Sequence, residues 1–217
     1  MCIRDRANVL TAARTTLADT RILVASNRAQ DVRAGGGSAG VGRGTIAQVD
    51  LTGVAAANAV TLASSELRGA QLTVAGNEAA QVNATGGSAL ANTMSFTDHR
   101  LAGGASYQPA ISGNTARNVQ AWGGEGSILS GALADVRVSA SALANSLSVT
   151  RGELAQAPVH RVSGNRASDV VATGGGAAAN SLWLDNATER AGSVLLAGNT
   201  AEQVRTAGAS GSVGGGL

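Results

Sequence analysis

Five short segments of this chain are near copies of one another: VASNRAQDVRAGG, VAGNEAAQVNATGG, ISGNTARNVQAWGG, VSGNRASDVVATGG and LAGNTAEQVRTAG. Anchored on Asn27, Asn77, Asn114, Asn165 and Asn199, each carries Ala two residues on, Val five on and Gly nine on. A second motif lies between them: AAANAVTL, SALANTMSF, SALANSLSV and AAANSLWL, anchored on Asn58, Asn92, Asn145 and Asn180, each preceded by Ala. Two and four residues after those anchors stand Val60 and Leu62, Met94 and Phe96, Leu147 and Val149, and Leu182 and Leu184. Such alternation is a strand signature. A unit this short cannot close a core alone, whereas stacked units share one, so the repetition restricts the fold before any single residue does.

The spacings group the units. From first motif to second the distance is 31 or 15 residues, and from second to first it is 19 to 22. The two longer gaps hold IAQVDL and LADVRV, each with a strand pattern of its own. Units of about 17 residues therefore assemble into a super-repeat, with Asn27 to Asn114 and Asn58 to Asn145 both 87 residues apart. The chain divides into 7–26, the end of an incomplete repeat; 27–113 and 114–198, two super-repeats; and 199–217, the start of a truncated third. The opening MCIRDR stands apart, holding the only cysteine, Cys2, and a dense Arg4-Asp5-Arg6 cluster. One reverse translation of its start, ATG TGT ATA AGA GAC AG, resembles the transposon-end adapter of sequencing libraries. Asn8 follows Ala7 and precedes Asn27 by 19 residues, the second-to-first spacing, so the repeat grammar reaches back to Ala7. The expectation is that residues 1–6 are not native and that both ends are accidental.

Composition decides what kind of strands these are. Aromatic residues make up 2% of the chain and glycine accounts for 30 residues, yet 44% is apolar, mostly Ala, Val and Leu. That is too apolar for a disordered linker and too rich in glycine for a helical bundle. The interior must be thin and regular, with Val, Leu and Ile pointing inward at roughly 1.5–3 kcal/mol per buried side chain and Ala where the interior narrows. Asn and Gly tolerate positive φ and suit the corners between strands. An asparagine can also stack on its equivalent in the next unit, amide to amide. The pattern predicts an all-β chain, a parallel β-solenoid (β-helix), with an antiparallel β-meander of hairpins as the alternative.

The SGNxAxxVxAxGG and AxANSLSL patterns, over residues 7–217, resemble those of bacterial extracellular β-strand repeat proteins: autotransporter passengers, adhesins and holdfast-anchor-like surface proteins. The resemblance implies export and a place on the bacterial cell surface. It fits a non-enzymatic structural or adhesive segment. Two alternatives stand beside it: a fragment of a polysaccharide-active β-helix enzyme, and the subunit of a functional-amyloid fibril.

Chemistry-bearing groups are sparse. All 16 basic residues are Arg, scattered and often near Asp or Glu, and the formal net charge is +2. A nucleic-acid footprint needs clustered cations, so nucleic acid is not an expected partner. No run of 18 apolar residues occurs, so the segment is not expected to insert in a membrane. GGGSAG, from Gly35 to Gly40, matches a dinucleotide fingerprint formally but no helix pattern follows it, and the glycine corners lack the Asp of calcium-binding nonapeptides. His99 and His160 occupy different repeat positions with no partner cluster, so no metal, cofactor or catalytic residue is predicted. Trp122 takes a position filled elsewhere by Gly35, Thr85, Thr173 and Ala207, while Trp183 alternates with Leu182 and Leu184. Both are expected to face outward, and with Tyr107, in a three-residue insertion, they are the candidates for binding host or surface glycans or proteins. Self-association through strand edges is the other expected interaction. A row of threonines suited to ice is not present, since the outward positions read Thr61, Ser95, Ser148 and Trp183.

Overall fold

The computed structural model of the 217-residue chain describes residues 3–35, 39–41, 46–51, 53–68, 70–98, 100–101, 108–123, 126–128, 133–138, 140–154, 159–189, 193–208 and 212–213. Among them there is no helix, and every strand pairing is parallel. The antiparallel meander is therefore not the arrangement adopted. The physical reason lies in the corners. Parallel partners cannot be joined by a tight hairpin, so each short corner must lead into a strand of a different sheet.

Five tiers of strands recur. The second runs Gly53–Ala63, Glu66–Arg68, Gln71–Ala75 and Glu78–Thr85. The third runs Gly87–Ala91, Met94–Thr97, Arg100–Leu101, Gln108–Ser112 and Thr115–Trp122. The first (from Ile3–Ala13), the fourth (from Ala140–Ala144) and the fifth (from Gly175–Ala179) repeat the order. Each strand pairs with its equivalent in the tiers on either side, position for position: Leu72 lies between Ile22 and Pro109, and Val119 between Val82 and Val170. The residues that stack are not 17 apart. Ala7, Ala57, Ala91, Ala144 and Ala179 form one column, with steps of 50, 34, 53 and 35 residues. The surplus in the longer steps goes into strands outside the tiers. Ile46–Leu51 pairs with Leu133–Val138, and Ala39–Val41 with Gly126–Ile128. The super-repeat of 87 residues is thus two tiers plus one such excursion.

Left-handed residues let a strand change which face it buries. Along Gly53–Ala63, Ala55 and Ala57 point inward, then Asn58 at φ 51° resets the alternation so that Val60 and Leu62 are also inward. Along Glu78–Thr85 the same device sits at Gln81, φ 56°, so Ala79 and Val82, three residues apart, are both buried. Without these resets the period of two would turn one half of each strand to solvent. Glycine is demanded where tiers come closest: a Cβ on Gly87 would lie 1.8 Å from the carbonyl oxygen of Gly53.

The interior has two compartments. One is built almost wholly of alanine and valine; in the second tier it holds Ala55, Ala57, Ala79, Val82 and Ala84. The other is thicker, with Val60, Leu62, Leu67, Leu72 and Val74 in that tier, and Met94 and Phe96 above Val60 and Leu62. By sequence, Asn58 falls between Ala57 of the first compartment and Val60 of the second, and Asn77 between Val74 and Ala79. The two asparagine columns stand where the compartments meet.

Candidate functional site

The asparagine columns are the most highly organised polar feature of the molecule. Asn8, Asn58, Asn92, Asn145 and Asn180 form one, each Nδ2 donating to the next Oδ1 at 2.9 Å. The same amides cross the tier to brace it. Asn58 donates to the Glu78 carbonyl at 3.2 Å, Asn92 to that of Thr115 and Asn145 to that of Arg166. In the second column Asn27, Asn77, Asn114, Asn165 and Asn199 each offer the next Oδ1 two donors, or receive them. Asn77 donates its backbone N–H and its Nδ2 to Asn114 Oδ1, at 2.9 and 3.0 Å. The spare Nδ2 hydrogen reaches back one tier, from Asn114 to the Val74 carbonyl at 2.9 Å. Every amide in the middle of a column is saturated, which is what makes a buried polar line tolerable in an apolar interior.

The ten asparagines play two backbone roles. Asn8, Asn58, Asn92, Asn145 and Asn180 have positive φ themselves. In the other column the left-handed residue is the one before the asparagine, Ser26, Gly76, Gly113, Gly164 or Gly198. A further left-handed row, Asp31, Gln81, Asn118, Asp169 and Gln203, was not singled out in the sequence. Its signal was present, since each lies four residues after a first-motif asparagine and each is an acid or amide.

Trp122 is 39% exposed and Trp183 64%. Trp122 ends the strand Thr115–Trp122, between Thr85 and Thr173 in its column. Trp183 lies opposite Ser148 in a different sheet, so the structure does not join the two into one aromatic surface. Tyr107 and His99 lie outside the described residues. His160 is fully buried, in the register held by Leu72 and Pro109 below and Val194 above, so it is a core residue.

The outer charges pair locally. Glu78 receives Arg28 of the tier before at 3.5 Å and Arg117 of the tier after at 3.4 Å. Arg151 holds Asp98 through two bonds of 2.6 and 2.9 Å, and this hydrogen bonding, then the Asp98 charge, raises the Arg151 guanidinium above its ordinary value. A shallow concavity on the outer face of the sheet is lined by Thr115, Arg117, Arg166, Ser168, Thr200 and Glu202. Among the described residues no three of His, Cys, Asp and Glu gather as metal ligands would. No family model, curated protein or solved structure matches the chain.

Proposed function

We propose that the chain is a segment of a parallel β-solenoid, and that its role is structural and adhesive, on the outside of a bacterial cell. The observation that carries this reading is the column register. Equivalent residues stack through five tiers, with two saturated asparagine lines between the compartments. Such an object is long, stiff and quasi-one-dimensional, since each tier touches only its neighbours. Its outer face varies from tier to tier while its inner face repeats: the column Thr61, Ser95, Ser148, Trp183 changes where Val60, Met94, Leu147, Leu182 does not change class. A surface free to vary over a constrained interior suits a scaffold that presents groups. The extracellular placement rests on the resemblance of the repeat motifs to those of bacterial surface proteins.

Pulling the chain between its ends tests the reading. Tiers of 34–35 and 50–53 residues, at roughly 3.5 Å per residue, release about 120 and 180 Å each, so the extension trace should step in those two sizes. A featureless trace at low force would overturn the solenoid. Incubation with a panel of acidic and neutral polysaccharides tests the role: binding that falls on Trp122→Ala or Trp183→Ala supports adhesion, and release of oligosaccharide products would replace it with an enzyme.

A further inference from the structure

Two concavities open on the outer faces of neighbouring sheets, and each is made by long side chains set beside short ones. On one face Arg166 pairs with Thr115 and Arg117 with Ser168; on the other Arg161 pairs with Ala110. The first concavity also takes in Thr200 and Glu202, the second Gln71, Gln108, Ser112 and Ser163. They flank one corner of the stack. Ser112 and Thr115 stand on either side of Gly113 and Asn114 in the third tier, and Ser163 and Arg166 on either side of Gly164 and Asn165 in the fourth. At about 250 and 270 Å³, each is smaller than the roughly 300–1,000 Å³ of a pocket that encloses a whole small ligand, so each suits one part of a longer one. The polar groups of both are unspent. Elsewhere on the surface guanidiniums are engaged, Arg68 on Glu66 and Arg151 on Asp98. Arg161 and Arg166 are exposed and make no side-chain hydrogen bond or ion pair among the described residues. The hydroxyls of Thr15, Ser65 and Ser146 turn back onto carbonyls two residues earlier, whereas those of Thr115, Ser168, Ser112 and Ser163 bond to no described group.

We propose that the two concavities are subsites for one acidic polysaccharide, a polymer of uronic acids draped across this corner. This deepens the adhesive reading above and rests on it. Diagonal neighbours on one face of adjacent strands lie about 7–8 Å apart, within reach of long side chains, so Arg117 and Arg166 can close on one carboxylate between them. Arg117 gives Glu78 a single nitrogen at 3.4 Å and keeps its other donors for the ligand. Arg161 takes a second carboxylate beyond the corner. The planar fork of a guanidinium meets a carboxylate through two parallel bonds, which fixes orientation as well as charge. Glu202 narrows the ligand class. A bare anion in the first concavity would face it as like charge. A sugar acid instead brings hydroxyls that donate to Glu202 and a carboxylate for the guanidiniums. Ser168, Gln71 and Gln108 remain for the other sugar hydroxyls.

The test is isothermal titration of the full chain at low salt with an oligogalacturonate, beside a neutral oligosaccharide, heparin and polyglutamate. The oligogalacturonate should bind more tightly than the other three. Arg161→Gln and Arg166→Gln should each weaken it about tenfold. Arg166→Lys keeps the charge but not the fork, and should still cost about threefold. Arg68→Gln removes the same charge from a different sheet, outside both concavities, and should leave the affinity within about twofold of the wild type. These arginines are exposed, so each variant should melt like the wild type. Equal binding of heparin or polyglutamate, or an equal loss from Arg68→Gln, would mean a generally basic surface and overturn the site. Glycan binding that survives Arg161→Gln and Arg166→Gln but falls with Trp122→Ala would sink this inference and leave the adhesive reading standing. Binding of no glycan, or release of oligosaccharide products, would remove the adhesive reading itself.

Discussion

Replacing one mid-column asparagine should cost far more than the same replacement at the column's end, and the difference can be worked from the bonds. In Asn114→Ala, Oδ1 vanishes from under the Asn77 backbone N–H at 2.9 Å and the Asn77 Nδ2 at 3.0 Å. The Val74 carbonyl loses Nδ2 at 2.9 Å, while Asn165 Oδ1 keeps the Asn114 backbone N–H at 3.0 Å. Two buried donors are orphaned, and at about 2 kcal/mol each the loss is about 4 kcal/mol. Asn27→Ala removes only a donor. Asn77 Oδ1 retains the Asn27 backbone N–H at 2.9 Å, and among the described residues no donor to Asn27 Oδ1 is stranded, so about 1 kcal/mol is expected. At roughly 2–4 °C per kcal/mol for a chain of this size, the melting temperatures should fall by about 8–16 °C and 2–4 °C respectively. Urea titration, with the midpoint shifting at constant slope, gives the free energies directly. Equal costs at the two positions, within about 0.5 kcal/mol, would show that the columns act as independent side chains and refute the reasoning.

Two further outcomes follow from the packing. Gly87→Ala puts a methyl 1.8 Å from the Gly53 carbonyl oxygen, a backbone atom that cannot swing away, so soluble yield or the melting temperature should collapse; an unchanged melt would mean the tiers are not that close. Ala84→Leu overfills the alanine compartment and should cost about 1–3 kcal/mol, whereas Leu72→Ala empties the thick one at about 2–5 kcal/mol; thermal denaturation should rank Leu72→Ala the worse, and the reverse order would assign the compartments wrongly.

The inward residues were legible because the same offsets return five times. Val32, Val82, Val119 and Val170 are all buried, as their recurrence five residues after each asparagine predicts. Trp122, in the column of Gly35, Thr85, Thr173 and Ala207, is exposed; Trp183 is exposed too, but so is its neighbour Leu184, so in that tier exposure does not separate the outward residue from the inward one. Pairing distance was not legible in the same way. A spacing of about 17 residues marks the sheets a chain visits, but paired residues lie two or three such units on, because parallel partners cannot be joined by a tight turn and so are not consecutive strands. The row of Gln81 and Asn118 was missed for a different reason. A reading tuned to a period of two treats an out-of-step polar residue as noise, when it is the left-handed residue that resets the step.

The alanine compartment has a thermal consequence. Unfolding a conventional domain exposes enough apolar surface to raise the heat capacity by about 12–15 cal/mol/K per residue, and the backbone it exposes at the same time subtracts from that. Among the described residues about half of the two core clusters is Ala55, Ala57, Ala79, Ala84 and their stacked equivalents, which bring little apolar area for each peptide unit released. The heat-capacity increment per residue should therefore fall below the usual range. A small increment flattens the curve of stability against temperature, so the stack should lose little of its strength between a cold surface and a warm one.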